Sequence, residues 1–427
     1  MMRIDGIYGL ALAAALVAPA APAAAADLVC FSTTGRGATC LNGGKIEHHT
    51  RASARLPSDS LGTIVACGET IVATVGGSVV TYDGKAWSQP NRPPGGFASR
   101  IACAGPGKYW VSLTGGVAYW DGAAWSSHTM AQAVPAAGTT IVFDVAAGPN
   151  GTAWVAMSNG VVALFEGGQW TVFKEGQGFD KRYPFTRIFA DAKGQAWIPA
   201  GAAVLAFRDG KWQPVAGLAS FSAIAFGADG KRWTASGSKL TMHDGDRRAE
   251  YDLGHAIRGL AVDAGGAVWI ASEFGIARFA DGKFETRHMH DSPLPDNDFM
   301  AVAATGKGSA LPPAAPQQPG SLEGRLEWSD GKPVAGAEIQ ICGVSASIFT
   351  GPEGPCGKRP LFFQATANAE GRFQFPKTPP AAYRMAVKPV GAPRWIVFLG
   401  TSDRLRVGAG EAKNAGTLGM DTRNRPN

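Results

Sequence analysis

A short phrase recurs about every 40 residues along most of this chain. Each copy has a glycine three residues before a tryptophan, an apolar run, a Gly-containing turn and a second apolar run. Most copies then have an Asp-Gly turn and an aromatic residue. Strand-like runs repeated at a fixed period predict an all-β fold, the β-propeller, in which sheets radiate from an axis. The five clearest pairs are Gly107 and Trp110, Gly151 and Trp154, Gly194 and Trp197, Gly230 and Trp233, and Gly266 and Trp269.

Two weaker copies upstream bring the number of repeats to seven. Ile71 stands where the other copies have tryptophan, and Cys30 holds that place in the first copy. The first copy lacks a strand before Cys30, whereas the segment 298–303 resembles the inner strands of the other repeats. We therefore predict a seven-bladed propeller over residues 27–308, in which the strand at Phe299 completes the blade begun at Cys30. Such closure removes unpaired sheet edges, which promote aggregation.

The N-terminus is typical of an exported protein. Residues 1–26 combine Arg3, a short apolar run over 10–17 and three alanines over 24–26, the pattern of a cleavable signal peptide. The apolar run is too short to span a bilayer, which takes about 20 residues. We expect the mature chain to begin at Asp27, to have no transmembrane segment, and to be periplasmic or secreted.

The chain has six cysteines, which suit an oxidising compartment where disulfides persist. One pair flanks a predicted hairpin turn and another flanks a loop rich in Gly and Pro, and we predict both pairs to be bonded. The remaining two end equivalent apolar runs in adjacent repeats, and are either a third disulfide or two small buried hydrophobic residues. These pairs are, in order, Cys30 and Cys40, Cys342 and Cys356, and Cys67 and Cys103.

Charge and motifs exclude several functions. The net charge is only +6, without any basic run of five or more, so we expect no nucleic-acid partner. The chain carries no phosphate loop, nucleophile elbow or zinc-protease motif. His288, His290 and Asp291 alternate on a predicted loop, but two adjacent histidines specify little for zinc, which takes three or four ligands. We therefore expect no cofactor and no bound metal.

The repeats resemble those of two-component regulator propellers, most clearly over residues 267–279 and 293–299. This resemblance covers residues 28–308 and implies a periplasmic sensing or binding propeller. The Gly-x-x-Trp repeats are also similar to those of exported streptogramin lyases, which have a histidine-centred site. His243, His255 and His288 are the candidates for such a site, although the catalytic phrase of that family is missing from the last repeats.

The repeat ends at a segment rich in Pro, Ala and Gln, residues 309–319, which predicts a linker with few contacts. Beyond it, short alternating runs between Asp-Gly and Pro-Pro turns predict a small β-sandwich over residues 320–427. The phrases at 331–337 and 371–373 resemble the carboxypeptidase regulatory-like domain, a transthyretin-like sandwich. The resemblance implies an accessory interaction module without catalytic residues.

We expect a ligand at the central mouth of the propeller, on the loops that lead into the inner strands. Three arginines on separate blades would attract an anionic or glycan ligand, while solvated rim residues are the plainer alternative. We favour a non-enzymatic, sensor-like protein whose partner is an envelope or extracellular protein, a glycan or an anionic small molecule. The alternatives are an exported lyase or hydrolase with its site at the mouth, and an envelope structural or assembly protein. The predicted mouth residues are Arg100, Tyr183, Arg187, His255, Arg258, Asn297 and Asp298.

Overall fold

The computed structural model describes residues 27–135, 141–174, 185–307, 310–344, 353–357, 359–398 and 403–426. The predicted signal peptide, residues 1–26, lies outside the described residues. The described chain is almost entirely β-structure, with two short helices, α1 (Arg51–Ala54) and α2 (Met130–Ala133). Within it, no helix has the length and apolar character that crossing a membrane requires. Turns of 3₁₀ helix lie at Pro149–Gly151, Ser158–Gly160 and Thr422–Asn424.

The repeat region consists of short antiparallel strands joined by tight turns. Its strands are β1 (Leu28–Thr33), β2 (Ala38–Asn42), β3 (Lys45–His49), β4 (Leu61–Cys67), β5 (Thr70–Val75), β6 (Ser78–Tyr82), β7 (Arg100–Gly105), β8 (Lys108–Leu113), β9 (Gly116–Trp120), β10 (Trp125–Thr129), β11 (Val142–Ala147), β12 (Ala153–Met157), β13 (Val161–Glu166), β14 (Gln169–Phe173), β15 (Phe189–Ala190), β16 (Ala196–Ala200), β17 (Ala203–Arg208), β18 (Lys211–Pro214), β19 (Ala223–Phe226), β20 (Arg232–Ser236), β21 (Lys239–Asp244), β22 (Arg247–Asp252), β23 (Ile257–Val262), β24 (Val268–Ser272), β25 (Gly275–Ala280), β26 (Lys283–Arg287) and β27 (Phe299–Ala304).

In the described chain these strands form seven sheets. They are sheet 1 (β27-β1-β2-β3), sheet 2 (β4-β5-β6), sheet 3 (β7 to β10), sheet 4 (β11 to β14), sheet 5 (β15 to β18), sheet 6 (β19 to β22) and sheet 7 (β23 to β26). The innermost strand of every sheet faces one common cavity. This arrangement is the all-β propeller architecture that the repeat predicted.

Sheet 1 joins the two ends of the repeat region. β27 pairs antiparallel with β1, so that Val29 lies opposite Ala304. The backbone N–H of Leu28 donates to Thr305 Oγ1 at 3.1 Å. The predicted closure by a shared blade is therefore confirmed, and its physical basis is the pairing of a strand that would otherwise leave β1 with an open edge.

In two of the repeats, the recurring tryptophan contacts the recurring glycine of the next repeat. The indole N–H of Trp110 donates to the carbonyl of Gly151 at 3.2 Å, and that of Trp154 donates to Gly194 at 3.0 Å. Both glycines have positive φ, +75° and +80°, which favours glycine in these turns. The tryptophans of all five clear copies are buried. The tryptophans of the repeat therefore pack in the protein interior, as the sequence pattern predicts.

The structure contains three disulfides. Cys30 and Cys40 lie directly opposite each other on β1 and β2. Cys67 and Cys103 lie near the ends of β4 and β7, so their bond connects sheets 2 and 3. The alternative of two buried thiols at this pair is therefore wrong. The Cα separations are 4.0 Å for Cys30–Cys40, 5.3 Å for Cys67–Cys103 and 5.5 Å for Cys342–Cys356.

The C-terminal region is a small β-sandwich, as predicted. One sheet has the order β31-β28-β36 and the other has the order β30-β29-β33-β34, with a short β32–β35 pair beside them. Leu322 and Phe373 of the first sheet share one core with Ile339 and Met385 of the second. Its strands are β28 (Gly320–Trp328), β29 (Glu338–Cys342), β30 (Phe363–Thr366), β31 (Arg372–Thr378), β32 (Ala381–Ala382), β33 (Arg384–Lys388), β34 (Ile396–Phe398), β35 (Arg406–Val407) and β36 (Ala412–Met420).

The segment between the repeats and the sandwich is held against the propeller. The backbone N–H of Ala315 donates to the carbonyl of Asp291 at 2.6 Å, and that of Gln317 donates to His290 at 2.8 Å. The expectation of a linker with few contacts is therefore wrong. The composition predicted a free linker, but the loop that follows β26 offers carbonyl acceptors to this segment.

Candidate functional site

A cavity of about 830 Å³ runs along the inner strands of the seven sheets. Its wall comes from β4, β7, β11, β15, β19, β23 and β27, and most of its lining residues are apolar. Arg100, Arg187 and Arg258 line the cavity, where these strands begin. Tyr183 lies outside the described residues. The inner strands therefore bring together the three arginines that the sequence analysis placed at the mouth.

Arg187 pairs with a buried carboxylate, Asp144, which also attracts Arg100 from a greater distance and which the sequence analysis missed. Asp144 Oδ2 accepts from Arg187 Nε at 3.0 Å and from the backbone N–H of Ile188 at 3.2 Å. Burial raises the pKa of Asp144 from its ordinary value, and Arg187 and Arg100 oppose that rise. Burial also lowers the pKa of Arg100. Two guanidinium groups thus face one carboxylate, which leaves an excess of positive charge in the wall.

A periodic signal could have identified Asp144. Arg100, Asp144 and Arg187 occupy corresponding places in three consecutive repeats, because each lies ten residues before the tryptophan of its repeat and within two residues of the start of β7, β11 or β15. Polar residues at one position of neighbouring repeats converge in a ring, although they are far apart in sequence. A comparison of the repeats position by position would therefore have grouped the carboxylate with the arginines.

Arg258 differs from the other two arginines because it takes part in a contact with the sandwich. Its Nε lies 2.9 Å from Asp298 Oδ1, while Asp298 Oδ2 lies 3.4 Å from Nη2 of Arg384 in β33. A second ion pair joins Arg406 of β35 to Asp296. Burial raises the pKa of Asp298, and Arg258 and Arg384 oppose the rise. The sandwich therefore docks beside the cavity, and Asp298 links it to the cavity wall.

His255 contacts a serine whose hydroxyl also contacts a backbone carbonyl. His255 Nε2 lies 3.1 Å from Ser272 Oγ, but Ser272 Oγ donates its own proton to the carbonyl of Gly275 at 2.8 Å. When the Ser272 hydroxyl donates to Gly275, His255 is the donor in its contact with Ser272, whereas a general base must accept the proton of the nucleophile. Burial lowers the pKa of His255 to about 4.

Four other residues of the sequence analysis, His288, His290, Asp291 and Asn297, lie in the loop between β26 and β27. The rings of His288 and His290 are stacked with centroids 4.9 Å apart, and His288 Nδ1 lies 2.6 Å from the carbonyl of Phe274. The backbone N–H of His288 donates to Asp291 Oδ1 at 2.7 Å. Asn297 is buried, and its side-chain oxygen accepts a backbone N–H of the same loop at 3.0 Å. Across the described ranges, no three His, Cys, Asp or Glu side chains are grouped as metal ligands.

No family model matches this chain. No curated protein matches it either. The resemblances to two-component regulator propellers and to the carboxypeptidase regulatory-like domain therefore stay predictions.

Several solved structures are similar to this chain at low identity. PorZ, described as an essential bacterial surface component of the type-IX secretion system of Porphyromonas gingivalis, has 15% identity and a TM-score of 0.49, with 85% of this chain and 62% of that chain covered. The extracellular domain of the putative one component system BT4673 from B. thetaiotaomicron has 12% identity and a TM-score of 0.41, with 64% and 48% covered. YCF48 from Cyanidioschyzon merolae has 17% identity and a TM-score of 0.41, with 53% and 84% covered. This chain thus spans less than two thirds of PorZ, and likenesses this low carry no functional argument.

Proposed function

We propose that this chain is an exported, non-enzymatic binding protein whose central cavity takes an anionic ligand. The ligand is a small acidic molecule or an acidic group of a glycan. The observation that carries the proposal is the placement of Arg100 and Arg187 around the one carboxylate of Asp144 in the cavity wall. A positive charge that is partly withdrawn from water is stabilised by a counter-charge, and an acidic ligand supplies it.

The geometry of the two arginines suits an oxyanion. Arg187 uses its Nε for Asp144 and keeps 39% of its side chain exposed. Arg100 Nη1 makes only a long contact, 3.5 Å, with the neutral hydroxyl of Thr63. A guanidinium group presents a planar fork of donors that fits a carboxylate, phosphate or sulfate. Both arginines therefore have donors that a ligand in the cavity could use.

The domain organisation is part of the proposal. We take each of the seven sheets as one blade of a propeller over residues 27–308, and residues 320–427 as a carboxypeptidase regulatory-like module joined to it by residues 309–319. The common cavity of the seven inner strands and the two-layered core of the sandwich support this organisation. A periplasmic or secreted location is supported by three disulfides, which persist in oxidising compartments.

Calorimetry on the oxidised protein tests the binding proposal. We expect glucuronate or citrate to bind and neutral glucose not to bind. Arg100→Gln should weaken binding by about tenfold or more, because hydrogen bonds to charged groups contribute about 1.5–3 kcal/mol. The control Arg423→Gln should not, because Arg423 lies in the sandwich with its side chain 88% exposed. Equal binding by wild type and Arg100→Gln would refute the proposal. Turnover in an activity screen that is lost in His255→Ala would instead support the lyase or hydrolase alternative.

A further inference from the structure

We propose a second anion site, for a phosphate or sulfate group, in the groove between sheets 5 and 6. It is formed by Arg208 of β17, Arg232 of β20, His243 of β21 and Arg248 of β22, around the buried ring of Trp197 in β16. We call this set the groove cluster. It is separate from the arginines of the central cavity and has a different geometry.

Strand register places three basic residues of sheet 6 side by side. Arg232 lies opposite His243 on the neighbouring strand, and His243 lies opposite Arg248 on the next. Directly opposed residues on antiparallel strands project from the same face of a sheet. This face is turned towards sheet 5, since Arg248 Nη1 contacts the carbonyl of Gly217, which follows β18, at 3.5 Å. Arg232 and Arg248 thus lie on either side of His243, and their like charges repel each other across this row unless an opposite charge accompanies them.

The neighbouring sheet adds a further cation on the same aromatic ring. Arg232 Cζ lies 4.6 Å from the centroid of Trp197, and Arg208 Cζ lies 5.6 Å from it. In the two preceding repeats the tryptophan donates to the glycine of the next repeat, whereas the buried indole N–H of Trp197 has no acceptor in the described chain. The gap between sheets 5 and 6 therefore lacks the tryptophan-to-glycine hydrogen bond of the two preceding repeats. Two guanidinium groups lie over the tryptophan ring at this place.

The charges around the groove cluster are not balanced. Arg248 Nη2 lies 3.6 Å from Glu250, and Asp191 acts on Arg232 from a greater distance. Over the described residues, neither Arg208 nor Arg232 has a carboxylate oxygen within ion-pair distance, and Arg232 Nε has no hydrogen-bond partner. Burial lowers the pKa of Arg232, and the nearby Arg208 lowers it further.

The pKa of His243 reflects the same excess of positive charge. Burial lowers its pKa to about 4, and the charges of Arg232 and Arg248 add to this effect. His243 Nε2 lies 3.1 Å from Thr234 Oγ1, so the ring is held within the groove. An anion bound between the arginines would neutralise the repulsion on the imidazolium, and would therefore raise the pKa of His243.

The groove cluster lies at the opposite end of the sheets from the central arginines. Arg208 ends β17 and Arg232 begins β20, beside the turns that follow the inner strands. Arg100 and Arg187 lie where the inner strands begin. A guanidinium pair with an adjacent imidazole fits a tetrahedral oxyanion, since the donors approach from several directions. We therefore assign the groove to a phosphate or sulfate group and the cavity to the acidic ligand.

Titration with inorganic phosphate at constant ionic strength, set with sodium chloride, tests the proposal. Calorimetry should show saturable binding, and NMR should show a higher pKa for His243 in phosphate than in chloride alone. Arg232→Gln and Arg208→Gln should each weaken phosphate binding by about tenfold or more. Arg278→Gln is the matched control, because Arg278 is a lone guanidinium over Trp269, with Cζ 5.9 Å from the ring centroid. It should bind phosphate like the wild type.

Several outcomes would overturn the proposal. These are the absence of saturable phosphate binding, an equal loss in Arg278→Gln, or an unchanged pKa of His243. Arg208 is exposed, so its variant remains informative if Arg232→Gln fails to fold. Arg100→Gln should keep the phosphate site while it loses the acidic ligand of the cavity, which separates the failure of one proposal from that of the other. A parallel titration with sulfate shows which of the two oxyanions binds more tightly.

Discussion

Replacement of Phe299 by alanine should reveal how strongly β27 closes the propeller. Phe299 is completely buried in sheet 1, and its ring meets that of Phe31 on β1 edge to face, with centroids 5.7 Å apart. The next residue, Met300, lies on the other face of the same strand and is 41% exposed. The two positions form a matched pair, because successive residues of a strand point to opposite faces.

The expected difference between the two variants is large. Truncation of a buried phenylalanine to alanine costs about 3–5 kcal/mol, which includes the lost transfer energy and the cavity left behind. Met300→Ala should reduce the free energy of unfolding by only about 1 kcal/mol, because a large part of this side chain is already exposed in the folded protein. Since native proteins are stable by only about 5–15 kcal/mol, the first loss is a substantial fraction of the total.

Urea unfolding of the oxidised protein measures both changes. A double-mutant cycle with Phe31→Ala should add a coupling energy of about 0.5–1.5 kcal/mol, which reports the aromatic contact itself. If Phe299→Ala and Met300→Ala differ by less than about 1 kcal/mol, or if Phe31 and Phe299 do not couple, the strand does not complete sheet 1 and the closure is refuted.

Two further predictions concern the disulfides and the histidines. Replacement of Cys67 and Cys103 together by alanine should reduce the free energy of unfolding by about 3–5 kcal/mol, because the bond closes a sequence separation of 36 residues in the unfolded chain; an unchanged urea midpoint would contradict this link between sheets 2 and 3. Burial lowers the pKa of His255 from 6.5 to about 4, so the unfolded chain binds a proton in that pH range that the folded chain does not. Stability should therefore decrease as the pH falls from about 6.5 to about 4, and His255→Gln should make this decrease shallower in urea titrations at several pH values; equal slopes would exclude His255 as the cause.

The sequence predicted the closure because an inner strand was missing at one end of the repeats and present at the other. The prediction of the repeats depended on a local pattern, the glycine and tryptophan of each copy. The contact between Trp110 and Gly151 shows how this pattern contributes to packing. The linker was different. Its composition carries no information on whether a neighbouring loop offers acceptors, and the contact between Ala315 and Asp291 depends on how the chain is placed after β27.

The candidate site shows the same distinction between local patterns and spatial convergence. Arg100, Arg187 and Arg258 could be predicted because each precedes or begins an inner strand. Asp144 belongs to the same set of positions, but a search for basic residues alone passes over it. The contact between Asp298 and Arg384 joins the two domains, so no periodicity in either domain could predict it.

The position of Asp298 gives the sandwich a physical connection to the cavity. Asp298 lies between Arg258 of the cavity wall and Arg384 of the sandwich, and its burial makes the carboxylate depend on both cations. For an anion that binds at Arg100 and Arg187, Arg258 is not available as a third donor, because it already pairs with Asp298. Two of the three arginines are therefore left for a ligand, and the third holds the sandwich beside the cavity.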